Sequence, residues 1–228
     1  MGVPTAFGPR AQKALTRRIY HTLFSIFGPQ HWWPAQTPFE VMVGAILVQN
    51  TNWKNVEKAI ARLKDRKLLT PRKLNAISLQ ELAKHIRPAG YFNVKAKRIK
   101  NFVAFFIGRY QGSLAKMRAR SVRVLREQLL SVSGVGEETA DSILLYALNK
   151  PIFVIDAYTK RVFSRHKIFS CDISYRDAQE IFHKNLPQSG KIYNEYHALI
   201  VQLAKQYCRV KPLCLKCPLS RINQHSRR

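Results

Sequence analysis

Residues 129–165 read LLSVSGVGEETADSILLYALNKPIFVIDAYTKRVFSR, and this stretch decides the fold. It reads as a helix end, a glycine turn at Gly134-Val135-Gly136, a second helix from about Glu137 to Leu148, and a short apolar run. A carboxylate, Asp156, then opens a third helix. The two glycines permit φ > 0 and a close backbone approach. The helix that follows aims free N–H groups out of the turn, an arrangement suited to an anion. A glycine-capped turn between two helices satisfies the same pattern. Asp156 alone fits an ordinary N-cap, where Asp is among the best residues. Cap and chemistry are compatible, because cap N–H groups and the helix dipole favour an ionised carboxylate.

The composition points to the partner. Lys and Arg number 39 against 13 acidic residues, a formal charge of +26 over 228 residues. Such an excess calls for a polyanion, nucleic acid first and a membrane surface second. No apolar run reaches spanning length, so no membrane partner is expected. The Arg-containing N-terminus lacks the apolar core of a secretory signal and reads as the first helix of the fold. Three of the four cysteines, Cys208, Cys214 and Cys217, crowd the C-terminus apart from Cys171. That distribution argues against a disulfide framework and for a reducing, cytoplasmic compartment.

Outward from the central stretch, helical signals dominate. Leu15, Ile19, Leu23 and Ile26 step at helical spacing, and Phe39 to Val48 reads as a buried helix. Trp53, Val56, Ile60 and Leu63 mark an amphipathic helix. Thr70-Pro71 and the capping box Ser78-x-x-Glu81 open two short ones. Val94, Ile99, Phe102, Val103 and Phe106 share a helix with Lys95, Lys97, Arg98 and Lys100 on its other face. Ser174–Leu186 and Lys191–Tyr207 complete the set, and the strand-like run Pro151–Ile155 has no partner run. The expected fold class is all-α.

SGVGEETA followed by PIFVIDAYTKR resembles the helix-hairpin-helix DNA glycosylases of the endonuclease III superfamily, and WWPAQTPFEVMVGAILVQNTNW is similar to their 3-methyladenine glycosylase branch. The resemblance implies a two-lobed fold. A helical barrel over 39–150 would carry a hairpin at about 133–137, with 1–38 and 151–228 forming the second lobe and the active cleft between the two. It implies Asp156 as the catalytic carboxylate, and Gly134, Val135, Gly136 and Glu137 as the hairpin that holds the DNA backbone. It also implies Trp32, Trp33 and Pro34 around the flipped base and Gln49 in the space that base vacates. Gly90-Tyr91-Phe92-Asn93-Val94-Lys95-Ala96 resembles the family's wedge loop. Tyr91 falls at the wedge place, and Lys95 is expected among the DNA contacts.

Two departures from the family pattern bear on chemistry. The Lys that serves bifunctional members as Schiff-base nucleophile is replaced by Glu138, and a carboxylate forms no imine. Cys208-x5-Cys214-x2-Cys217 is followed by Asn223 where the fourth ligand of an iron–sulfur cluster stands in relatives. The expectation is a lost cluster and no cofactor. The alternatives are a metal held by Cys208, Cys214 and Cys217 with Cys171, or a zinc ion with His225 as fourth ligand.

The reading is therefore a monomeric, monofunctional glycosylase acting on double-stranded DNA that contains alkylated bases such as 3-methyladenine. A cationic leaving base removes the need for a second, acidic carboxylate of the kind glycosidases use. Two alternatives stand beside it. One is an oxidised-pyrimidine glycosylase with abasic-site lyase activity through Lys160 or Lys205. The other is a non-catalytic hairpin protein that binds DNA.

Overall fold

The computed structural model describes residues 7–222 of the chain. The expected ligand positions Asn223 and His225 lie outside the described residues. The elements are helices α1 (Pro9–Phe27), α2 (Pro38–Leu47), α3 (Trp53–Asp65), α4 (Pro71–Ala76), α5 (Leu79–His85), α6 (Phe92–Tyr110), α7 (Leu114–Arg118), α8 (Val122–Leu130), α9 (Glu137–Ser142), α10 (Ala157–Arg165), α11 (Tyr175–Asn185) and α12 (Gly190–Gln206). No strand occurs among the described residues, and the fold is all-α. The chain divides into two compact units, Trp33–Lys150 and a second built from the residues up to Trp32 together with those from Pro151 onward. The break falls between the two adjacent tryptophans.

In the unit Trp33–Lys150, α2 is the centre. Every residue from Phe39 to Leu47 is buried, as a sequence apolar but for Glu40 demands. Thr37 starts it by accepting from the Glu40 N–H, and Pro38 at the first position gives up no hydrogen bond. The buried Glu40 pairs with Lys64 at 2.7 Å. α6 lays Ile99, Phe102, Val103 and Phe106 into the same core, and the Phe106 ring stacks between those of Phe39 and Phe102. Asn52, Thr70, Ser78, Ser113 and Ser121 cap the helices that follow them. The helix expected to run regularly from Glu137 to Leu148 widens after Ser142 into a π-helical turn, Ile143–Ala147. Nothing in that apolar, buried run of sequence marks the change.

The second unit closes around aromatic rings. Phe153 stacks on Phe182 with centroids 3.8 Å apart, and Phe163, Tyr193 and Tyr196 pack about them. The buried Tyr196 hydroxyl donates to the Thr16 carbonyl, which ties α12 to α1. Residues 151–155 belong to no helix or strand, yet Ile152 to Ile155 are all buried. Buried backbone groups need partners, and α11 provides them. Phe153 N–H donates to His183 Nε2 at 3.0 Å, Gln179 Nε2 donates to the Phe153 carbonyl at 2.6 Å, and Ile155 N–H donates to the Tyr175 hydroxyl at 3.3 Å.

Replacing Gln179 by Leu should therefore leave the buried Phe153 carbonyl short of a donor and destabilise the fold by about 1–3 kcal/mol. Urea denaturation of the two proteins measures the difference. An unchanged midpoint would show that the run is held by packing alone.

Candidate functional site

Asp156 follows directly on the stitched run. Its backbone is extended (φ −104°, ψ 177°), and Oδ1 accepts from the Thr159 N–H at 2.7 Å, so the expected N-cap of α10 is present. The side chain is 13% exposed, and Oδ2 lies 3.5 Å from Nε2 of His197 on α12. That separation is long for a hydrogen bond and close for an ion pair. Burial pushes the carboxyl up, but the charge and proximity of His197, with donation from Thr159, outweigh it and hold the group below the usual carboxylate range. The result is a fixed negative charge in an apolar setting, able to stabilise a neighbouring cation. The sequence reading missed His197. Its one signal was a histidine between Tyr196 and the apolar stretch 198–201 of α12.

The hairpin lies in the other unit. Gly134 has φ +94°, and a Cβ there would stand 2.3 Å from Cγ of Arg98, so both conformation and space require glycine. Gln49 is bound to this turn. Its Nε2 donates to the Gly134 carbonyl at 3.1 Å and to Thr139 Oγ1 at 2.8 Å, while Arg98 donates to its Oε1. Val135 is buried; Gly136 and Glu137 are exposed, and Glu137 pairs with Arg126, which also holds the buried Asp141. Glu138 is exposed on the first turn of α9. Gln49 is thus an anchor of the hairpin here, and entry into DNA would require it to let go.

Tyr91 precedes α6 with φ +45°, an uncommon conformation for a residue with a side chain, and its ring is 71% exposed. An exposed, conformationally constrained ring suits insertion into a duplex. Lys95 departs from expectation. It is 1% exposed, and its Nζ donates to the Ala89 carbonyl at 2.7 Å, so it supports the loop from inside and presents no charge to a phosphate. Burial, with the charge of Arg98 beside it, lowers its pKa to about 8. Lys100 is likewise turned to backbone, donating to the carbonyls of Leu74, Asn75 and Ile77. Of the expected basic face, Lys97 remains exposed.

Trp32 and Trp33 have separate settings. Trp33 packs against Trp53 edge-on at 4.9 Å and against Tyr146, from the π-helical turn, at 5.0 Å. A Cβ added at Gly44 would lie 3.6 Å from its ring. Trp32, in the other unit, carries the Lys205 ammonium 5.6 Å from its ring centroid. Pro34 is exposed. Each indole keeps partial exposure, Trp33 within an aromatic cluster and Trp32 as a platform that already takes a cation.

Cys208 is buried, Cys217 half-buried, and Cys214 and Cys171 exposed. The first three line a cavity of about 310 Å³ with Arg165, His166 and Tyr207, and Arg165 Nη1 lies 3.4 Å from Cys208 Sγ. Burial pushes the Cys217 thiol up, and the neighbouring Cys208 and Cys214 sulfurs act in the same direction. Among the described residues no three His, Cys, Asp or Glu side chains are set to hold a metal ion. A four-thiolate cluster takes four sulfurs, and this cavity is lined by three.

Residues 43–188 match the HhH-GPD superfamily of base excision DNA repair proteins. A protein of Methanocaldococcus jannaschii assigned to the DNA repair glycosylases is 51% identical over 89% of this chain and 92% of its own. The crystal structure of the Helicobacter pylori 3-methyladenine DNA glycosylase bound to 1,N6-ethenoadenine is 29% identical. It superposes with a TM-score of 0.75 over 84% of this chain and 97% of that one. A non-covalent endonuclease III–DNA complex gives a TM-score of 0.80 at 25% identity, over 92% of this chain and 94% of that one.

Two outcomes follow from the hairpin unit. Gly134→Ala should strain the turn by about 1–3 kcal/mol and weaken binding to any duplex, read by fluorescence anisotropy; full affinity would place DNA elsewhere. For Lys95 the sign is set by proton uptake. Below about pH 8 it is charged in both states; between about 8 and 10.5 the unfolded chain binds the proton more than the folded one does. Stability relative to Lys95→Met should rise across that window, by up to about 3 kcal/mol at about 1.4 kcal/mol per pH unit. Denaturation at stepped pH tests it, and a flat difference would mean that Lys95 is not buried in solution.

Proposed function

The chain belongs to the HhH-GPD superfamily of base excision DNA repair proteins and is a DNA glycosylase, and from that premise we propose that it excises alkylated purines, 3-methyladenine foremost, without lyase activity. The observation that carries the reading is the single carboxylate Asp156, held ionised by Thr159 and His197. One such charge suffices when the departing base is already cationic. The bond electrons leave with the base, a sugar cation forms beside the carboxylate, and a water oxygen adds to the sugar carbon.

The platform chemistry supports the same choice. The face of Trp32 holds the Lys205 ammonium, and a cationic base could take its place at little loss because Lys205 is exposed and free to swing out. Three observations weigh against strand cleavage. Lys160 Nζ is tied to the Ile173 carbonyl at 2.7 Å, Lys205 lies over Trp32, and Glu138 stands at the family's lysine place. We read the substrate as duplex DNA, the enzyme as a monomer of the cytoplasm, and the cysteine tail as the remnant of a cluster site. Among the described residues no helix is long and apolar enough to cross a membrane.

The test is to incubate the protein with methylated duplex DNA and identify the bases released. Release of 3-methyladenine is expected, with little hypoxanthine or thymine glycol. Asp156→Asn, which keeps the cap, should slow excision by about 10²-fold or more with duplex affinity little changed. Borohydride should trap no covalent complex. Release of uracil, thymine or oxidised pyrimidines in preference to alkylated purines would reassign the substrate, and efficient trapping would restore the lyase reading.

A further inference from the structure

The two oxygens of Asp156 have different partners. Oδ1 is fixed by the Thr159 N–H at 2.7 Å, whereas Oδ2 faces Nε2 of His197 at 3.5 Å, with the two side chains 13% and 7% exposed. The imidazole is itself oriented. Its ring meets Phe153 edge-on at 6.3 Å and 70°, and Phe153 is stacked on Phe182 and pinned through its own backbone by His183 and Gln179. Carboxylate and imidazole are thus both referenced to residue 153. Other titratable groups on the surrounding elements are turned to different tasks. Tyr175 accepts from Ile155 N–H, Lys160 donates to the Ile173 carbonyl, Tyr196 donates to the Thr16 carbonyl, and the Tyr193 and His183 rings stack on each other. Among the described residues, His197 is the one ionisable group whose charge bears on Asp156.

We propose that His197 is the positioning residue of the catalytic carboxylate, its Nε2–H donating to Asp156 Oδ2, so that Asp156 acts as a fixed negative charge and not as the base that deprotonates water. The proposal rests on Asp156 being the catalytic group. Two donors, one on each oxygen, hold the plane of the carboxyl and draw basicity from it. A carboxylate so held is well placed to stabilise a sugar cation and poorly suited to keep a proton. In the reaction the C1′–N bond breaks with its electron pair leaving on the base. The water oxygen bonds to C1′, and the proton that water loses passes to bulk solvent or to the departed base. Asp156 is ionised before and after. The edge-on packing of the imidazole against Phe153 explains why a histidine serves here: a flexible donor on α12 would have to be ordered at each turnover.

The experiment separates the proposal from its premise. The chain has five aspartates, at positions 65, 141, 156, 172 and 177, so ¹³C-carboxyl aspartate labelling gives a spectrum in which Asp156→Asn identifies the resonance. Titrating Asp156 in the wild type, His197→Gln and His197→Leu reads the contact directly, whether or not the protein excises anything. The midpoint should lie low in the wild type and move up in His197→Leu. In single-turnover excision from methylated duplex, His197→Gln keeps a donor and should stay within about threefold of wild type. His197→Leu should lose about 10- to 100-fold, the worth of one hydrogen bond to a charged group, at unchanged duplex affinity. An unmoved midpoint in His197→Leu overturns the proposal outright. Equal losses in both variants, with equal falls in melting temperature, would make His197 a packing residue only and also overturn it. If the midpoint moves while neither His197→Leu nor Asp156→Asn slows excision, the contact is real but the premise fails, and the proposal falls with it.

Discussion

The constraint from which the site derives is the burial of a run of backbone that belongs to no helix or strand. Residues 152–155 enter an aromatic core with no neighbouring strand, so their N–H and C=O groups must be met by side chains. Tyr175, Gln179 and His183 lie at helical spacing on one face of α11 and meet them in register. This is a strand ladder replaced by a helix face. Its consequence is precision at the end of the run, where the next residue is Asp156. A carboxylate on a free loop would wander; one following four buried residues and opening a helix does not.

The hairpin unit solves a related problem with different parts. A turn tight enough to present its backbone must carry a left-handed residue, and Gly134 takes that conformation while the Arg98 stem lies where a Cβ would be. Arg98 then reaches Gln49, which bonds back to the Gly134 carbonyl and to Thr139. Three distant parts of the sequence, at 49, 98 and 134–139, meet in one network. The hairpin is therefore a product of tertiary contact and not of its glycines alone.

What was legible in the sequence follows from how local the determining physics is. Caps at Thr70, Ser78 and Asp156 act within four residues, and the helices start where those residues stand. The almost continuous apolar run of α2 and the stripe of α3 declare their burial in the same way. Lys95 was misread because its exposure depends on where the Ala89 carbonyl ends up, which no periodicity reports. His197 was missed for the same reason. It lies 41 positions from Asp156, and only the packing of α12 against α10 and the run before it brings the two together. The π-helical turn depends on the packing of Ile143–Ala147, and no Pro or Gly within it marks it.

The charge count needs the same correction. With 39 basic residues and 13 acidic ones, most cations cannot find a carboxylate, and many are turned to backbone carbonyls. Lys100 closes the C-terminal end of α4, Lys150 and Arg118 bond the Arg118 and Ala147 carbonyls, and Arg161 and Arg165 hold the carbonyls of Cys208, Arg209 and Val210. Cations at such places favour the helix dipole and satisfy carbonyls that a helix end leaves open. They also cannot move to a phosphate without exposing those carbonyls. A net charge of +26 therefore states the strength of the field that draws a duplex in. The number of cations left to meet phosphates is smaller, because part of that charge is already committed to holding the helices closed.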